Sequence, residues 1–255
     1  MPSSKLSHGD SKVLSQVFDP ESGPARAEVI VEPTLPSDRH ISDSALLLEF
    51  RSREKHAIRL IERYERSSIK TSQAKETAYR SALEILDRIV DEEPSYASAR
   101  NNRAQLRRWR YSDCNMLCRG SLVERDQKKA GSAALRDLEK AISLASPERP
   151  QDPVSSAQGR LLAQAYTQLG ALYLGAAKDL EIIETEPEKL EVDTELSDWT
   201  RDRFEEEASR AFYLGGLYGN EVAKALAVHT NPHAKLCGNI VKEAMRKEFA
   251  AVDAL

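Results

Sequence analysis

The chain has 255 residues, 40% of them hydrophobic and 31% charged, with a formal net charge of −4. That is enough apolar material for one domain with a real core plus tails, and the charge gives no overall pull toward nucleic acid or an anionic membrane. No apolar run nears the roughly 20 residues needed to span a bilayer, and residues 1–10 are polar with no signal-peptide core, so the expected compartment is the cytoplasm, with the nucleus as a second one.

Residues 1–43 carry Pro20, Pro24, Pro33 and Pro36 among many Ser, Asp and Glu, and read as a mostly flexible tail. Within it, residues 12–19 form a short amphipathic segment. Val13, Leu14, Val17 and Phe18 recur at i, i+1, i+4, i+5 and would share one helical face. That face either packs back onto the rest of the chain or docks on another protein. Residues 42–67 then predict a long helix, capped by Ser42 or Asp43, with Leu46, Leu47, Phe50, Ile58 and Ile61 as its apolar stripe. After a break at 70–72 comes a second helix carrying Ala82, Leu86 and Ile89, stopped before Pro94. A third is predicted over 96–109.

Residues 111–132 are polar, with Gly120, Gly131, Cys114 and Cys118, and read as an insertion between helices. A helix over 133–144 and a loop with Pro147, Pro150 and Pro153 lead into a long helix over 156–183. From 181 to 207 there are 12 acidic and 3 basic residues. The first part of this run, to about 200, reads as a solvated acidic loop and the remainder as a helix face. Helices over 220–229 and 232–251 close the chain, the last opened by Pro232, which suits a first helical turn.

Within the long helix, Tyr166, Leu169, Gly170 and Tyr173 stand in the spacing Y-x2-L-G-x2-Y, and Ala208 and Phe212 follow downstream. This is the signature of a tetratricopeptide repeat (TPR), a helix pair that buries its apolar face only by stacking on neighbours. Ala82, Leu86, Ile89 and Pro94 repeat the second-helix spacing, as do Ala134, Leu138, Ala141, Leu144 and Pro147. Ala104 takes the small slot of a middle repeat. The intervals from Ala82 to Ala134 and from Ala134 to Ala208 are 52 and 74 residues, against about 34 for this repeat class, so loops must be inserted. The expected fold is all-α: a TPR-like right-handed helical solenoid of about three hairpins plus C-terminal capping helices. The solenoid would span 44–251. Repeat one covers about 44–94, repeat two 95–146 with its insert at 111–132, repeat three 156–216 with an acidic insert at 181–200, and the caps 220–251.

Three stretches carry a closer resemblance. They are Leu14-x3-Phe18-x-Pro20, the run Ala97-Ser98-Ala99-x-Asn101-Asn102-Arg103-Ala104-Gln105 with Arg107-Arg108, and Asn231-Pro232-x-Ala234-x-Leu236-Cys237. In order and spacing the chain resembles the tetratricopeptide repeat protein 36 family, in a fungal-type form with inserted loops, over roughly 12–247. The resemblance implies a non-enzymatic, three-repeat adaptor of co-chaperone type. Its implied partner is a protein, either a seventy-kilodalton heat-shock chaperone or a metabolic enzyme, and it implies a link to tyrosine breakdown.

Chaperone-binding repeats of this fold hold a peptide's C-terminal carboxylates with cations and Asn amides on successive first helices. Asn102 matches the middle-repeat Asn. Arg59 offers a first-repeat cation, Arg63 falls where an Asn belongs, and Gln164 and Gln168 fall where third-repeat cations belong. Two missing cations, each worth roughly 1.5–3 kcal/mol as a charged hydrogen bond, would make such a clamp undetectable, so the standard clamp is not expected. Arg100, Arg103 and Arg107, with Arg108 and Arg110 beside them, form a basic stripe at i, i+3, i+7. Two readings stay open. The arginines lay their stems on the core and pair with acids of the next helix, or they form a groove for an acidic peptide, masked by the chain's own acidic insert.

An enzyme is not expected. His8, His40, His56, His229 and His233 are scattered, Gly215-Gly216-x2-Gly219 follows a helix rather than a strand, and no metal or cofactor spacing is present. Cys114 and Cys118 lack the second ligand pair a metal would need. The alternative is an RNA-reading helical repeat, for which Trp109 and Tyr111 beside the arginine stripe would supply the stacking.

Overall fold

The computed structural model describes residues 29–119, 125–185, 191–192 and 196–231. Among them are seven helices: α1 (Ser44–Arg66), α2 (Ser72–Glu92), α3 (Ala97–Tyr111), α4 (Arg125–Ala145), α5 (Ser156–Thr185), α6 (Arg201–Leu217) and α7 (Glu221–Thr230). Each packs on the next in sequence, and α3 also meets α5. That near-neighbour pattern makes an all-α solenoid.

Local chemistry sets the helix ends. Asp43 caps α1 by accepting from the backbone N–H groups of Ala45 and Leu46, while Arg63 and Arg66 sit in its last turn, where cations complement the helix dipole. Thr71, Thr200 and Asn220 cap α2, α6 and α7 in the same way. Gly215 and Gly216 lie in the last turn of α6, and Gly219 in the turn to α7.

The core falls into linked clusters. Leu47, Phe50, Ala57, Tyr79, Leu86, Ile89, Tyr96 and Leu106 fill the space between α1, α2 and α3. Leu135, Leu138, Leu169, Leu172, Phe204, Ala208 and Phe212 join α4, α5 and α6. Burying each of the larger side chains contributes roughly 1.5–3 kcal/mol. At the crossing of α5 and α6, a Cβ on Gly170 would stand 2.8 Å from the Phe212 ring, so the glycine is what lets that ring seat on α5. Tyr173, Trp199 and Phe204 pack together beyond it, with centroids 5.0–6.2 Å apart.

Three expectations need correction. The helix expected over 133–144 starts at Arg125, so the insertion before it is shorter than 111–132. Gly131 is a helical residue, not a loop residue: a Cβ there would stand 1.9 Å from the Met116 carbonyl oxygen, because the 112–119 segment lies directly on α4. Second, Ile58 is exposed and Ala57 is buried, one position out of the expected α1 stripe. Third, residues 29–43 are not tail-like. Val31 pairs with Val154 in a parallel bridge, with Glu32 N donating to Val154 O and Val154 N to Ile30 O, both at 2.9 Å. Ile41 is buried in the first cluster.

The two inserts meet each other. β1 (Cys118–Arg119) and β2 (Glu191–Val192) pair antiparallel, Cys118 opposite Val192. This two-residue ladder and the Val31–Val154 bridge are the β pairings among the described residues. The amphipathic set Val13, Leu14, Val17 and Phe18 and the expected helix at 232–251 lie outside the described residues.

Candidate functional site

The arginine stripe of α3 closes on one acid. Asp137, on α4, is 3% exposed. Arg103 donates to it through Nε at 2.8 Å and Nη2 at 2.6 Å, and through Nη1 to Asp87 of α2 at 2.8 Å. Arg107 also donates to Asp137 Oδ2, and Arg100 Nη1 stands 3.5 Å from Oδ1. Burial works against the Arg103 charge, but the hydrogen bonds and charges of Asp137 and Asp87 outweigh it and hold the guanidinium above its ordinary pKa. Arg100 also donates to the Pro94 carbonyl, at 2.8 and 3.0 Å. Both acids come from neighbouring helices of the stack, not from the acidic insert.

Asn102 faces the other way, into a second buried acid. Glu54 of α1 is 5% exposed. Its Oε1 accepts from Asn102 Nδ2 at 2.7 Å and Ser98 Oγ at 2.8 Å, and its Oε2 from the Tyr96 hydroxyl at 2.6 Å. Burial pushes the Glu54 carboxyl above its ordinary pKa, against the pull of those three hydrogen bonds and of the Arg51 charge. Gln168 is buried too, donating to Asn101 Oδ1 at 2.8 Å and accepting from Arg108 Nη1 at 3.2 Å. Gln164 remains exposed.

Beside Glu54 opens a cavity of about 480 Å³. Leu47, Arg51 and Glu54 of α1, Tyr96, Ala97 and Ser98 at the start of α3, and the first turns of α5 as far as Gln164 form its walls. Residues 33–40 close one side. Arg39 donates to the Ser146 carbonyl and lies 3.5 Å from Glu148, and His40 Nε2 donates to the Leu144 carbonyl at 3.0 Å.

Arg59 and Arg63 do not join this cavity. With Glu62, Arg66 and Ser67 they line a shallow depression at the far end of α1. Arg66 pairs with Glu62 at 3.2 Å, whereas Arg59 and Arg63 have no ion pair among the described residues. The six residues singled out from sequence therefore divide three ways: Arg100, Arg103 and Arg107 on Asp137, Asn102 on Glu54, and Arg59 with Arg63 on an open face. Trp109 donates from Nε1 to Glu65 at 2.9 Å with Lys75 over its ring, and Tyr111 lies edge-on to Tyr79.

Sequence reasoning missed Asp137 and Glu54, yet the signal was there. Asp137 falls between Ala134, Leu138 and Ala141, and Glu54 between Phe50 and Ala57, both on the buried stripe of a helix. Acids on such a stripe must find partners. Cys114 is exposed and Cys118 buried. Among the described residues no group of three or more His, Cys, Asp or Glu could hold a metal ion, and no helix is long and apolar enough to cross a membrane.

Compared with known proteins, the chain is 39% identical over 253 residues to the L-tyrosine degradation gene cluster protein hmgX of Aspergillus fumigatus, covering 97% of this chain and 94% of that one. No family profile matches the chain, and no solved structure matches it.

Proposed function

We propose a function on a plain premise: the chain belongs to the family of the L-tyrosine degradation gene cluster protein hmgX. On that premise it is a non-enzymatic adaptor that serves tyrosine degradation by binding one of the enzymes of that process. The end-to-end match supports the link to tyrosine degradation, which the name of that relative carries. The stacked hairpins support the adaptor role, because a solenoid exposes extended faces suited to contact.

The resemblance to the tetratricopeptide repeat protein 36 family adds a seventy-kilodalton chaperone as a further partner. Such a partner would not be held by a two-carboxylate clamp. The Asn102 amide already serves Glu54, and Gln168 serves Asn101 and Arg108. The face offered to an acidic partner is instead that of Arg59 and Arg63 on α1, whose charges are exposed and unpaired among the described residues.

Tagged protein captured from cells growing on L-tyrosine should bring down an enzyme of tyrosine breakdown, and the double variant Arg59→Glu/Arg63→Glu should lose it while remaining folded. Loss of the gene should slow growth on L-tyrosine as sole nitrogen source. Unimpaired growth, or turnover of a tyrosine-derived substrate by the purified chain alone, would end the proposal.

A further inference from the structure

We infer that the cavity beside Glu54 is a binding site for a small organic acid with an apolar body. Its volume, about 480 Å³, lies within the roughly 300–1,000 Å³ typical of small-molecule sites. What selects the ligand is a surplus of donors. Arg51 and Arg160 line the cavity and have no ion pair among the described residues. Gln164 uses its Oε1 in a long contact with Asn101, at 3.5 Å, which leaves its amide N–H groups available.

Most of the acceptors, by contrast, are occupied. Both oxygens of Glu54 are taken by Tyr96, Ser98 and Asn102. Asp38 accepts with its Oδ1 from the backbone N–H groups of His40 and Ile41, at 2.8 and 3.1 Å, and Gln158 Oε1 accepts from Ser155 N at 3.0 Å. A cavity whose Arg51 and Arg160 make no ion pair among the described residues, and whose acceptors are mostly occupied, fits a carboxylate, which accepts at both oxygens and pairs with guanidinium groups in fork geometry. Pro33, Leu35, Leu47 and Leu161 supply the apolar wall for the rest of the molecule.

The closing segment favours a small molecule over a peptide. Residues 33–40 are pinned at both ends, by the Val31–Val154 bridge on one side and by Arg39 and His40 on Ser146 and Leu144 on the other. An extended peptide would have to displace them. The inference stands apart from the adaptor role, because it concerns the isolated chain with no partner present.

The test is a calorimetric titration of the purified full-length chain with phenylacetate, 3-phenylpropionate and 4-methylvalerate, each against its neutral amide. At least one acid should bind saturably, and its amide at least tenfold more weakly. Arg51→Gln and the surface variant Arg160→Gln should each weaken the acid about tenfold or more, the loss expected for one charged hydrogen bond, with an unchanged thermal melt. Absence of saturable binding by all three acids, equal binding of acid and amide, or full affinity in both folded variants would overturn the inference. So would binding of an acidic peptide where the free acids fail, which would make the cavity part of a peptide groove. Partner capture by the unaltered chain reads the adaptor role separately: capture without saturable acid binding overturns this inference alone, and acid binding without capture overturns the adaptor reading alone.

Discussion

Asp137 holds Arg103 with both of its oxygens, Nε at 2.8 Å on Oδ2 and Nη2 at 2.6 Å on Oδ1, while Arg107 shares Oδ2. One buried carboxylate thereby ties α3 to α4 and compensates charge that would otherwise be stranded. Breaking such a pair from one side costs about 3–5 kcal/mol, because the remaining charges stay buried. Asp137→Asn should lower stability by that order in urea unfolding, with the helical content of the folded state retained. A loss under about 1 kcal/mol would mean that water reaches these arginines and that the stripe is open to ligands. Replacing Arg100, Arg103 and Arg107 together by Glu would set three acids against Asp137 and Asp87, so that change reports on folding before it reports on binding.

Glu54 makes a different kind of link, from α1 to α3, through three donors. Glu54→Ala leaves the Tyr96, Ser98 and Asn102 donors facing a gap, and should cost about 2–4 kcal/mol. Glu54→Gln should cost under about 1.5 kcal/mol. Its Oε1 still accepts from Ser98 and Asn102, and the Tyr96 hydroxyl can turn to accept from Nε2. Equal losses in the two variants, measured by chemical denaturation, would show that side-chain volume rather than hydrogen bonding matters at this position.

How much of this was legible in the sequence depended on which interaction fixed each feature. Gly170 and Phe212 could be picked out as parts of one helix-pair signature, since their spacing is local to each helix, whereas the seating of that ring on that glycine is seen only in the fold. The Asp43 cap and the α5 span were legible for similar reasons, being set within a few residues. The start of α4 was not. Gly131 looks like a loop residue until Met116 is seen lying across it, a contact between segments that no local pattern encodes. The arginine stripe was visible as a stripe, but its partners are an acid on α4 and another on α2, and sequence spacing alone does not bring those together. Residues 29–43 looked like tail because their composition is polar, yet a single backbone bridge to Val154 and the burial of Ile41 hold them on the stack.

Gly170 and Gly131 give a graded test of close approach. Gly170→Ala would bring a methyl within 2.8–3.0 Å of the Phe212 ring, and overpacking of this kind costs about 1–3 kcal/mol. In Gly131→Ala the obstacle is backbone, the Met116 carbonyl oxygen at 1.9 Å, so the 112–119 segment must lift off α4. Hydrogen exchange should show faster exchange across that segment in Gly131→Ala and not in Gly170→Ala. Identical exchange in both would mean that the segment does not rest on α4 in solution.

Asp179 of α5 predicts a dependence on pH. It is buried, it accepts from the Asn115 backbone N–H at 2.7 Å, and burial pushes its carboxyl up from 3.8 to about 6 against the pull of that one bond. An acid whose pKa is raised by folding binds more protons in the native state than in the unfolded one. Its contribution to stability is therefore fully present below about pH 4 and is lost as pH rises through about 6. A rise of that size is equivalent to roughly 2–3 kcal/mol. Asp179→Asn keeps an acceptor for Asn115 but cannot ionise. The stability of Asp179→Asn relative to the parent should then rise by about 2–3 kcal/mol between about pH 4 and pH 7.5, whatever the constant cost of burying the amide. Urea unfolding of both proteins at the two values measures that difference, in which the other titrating groups cancel. A difference that does not change with pH would mean that Asp179 is solvated and that Asn115 does not anchor the 112–119 segment to α5.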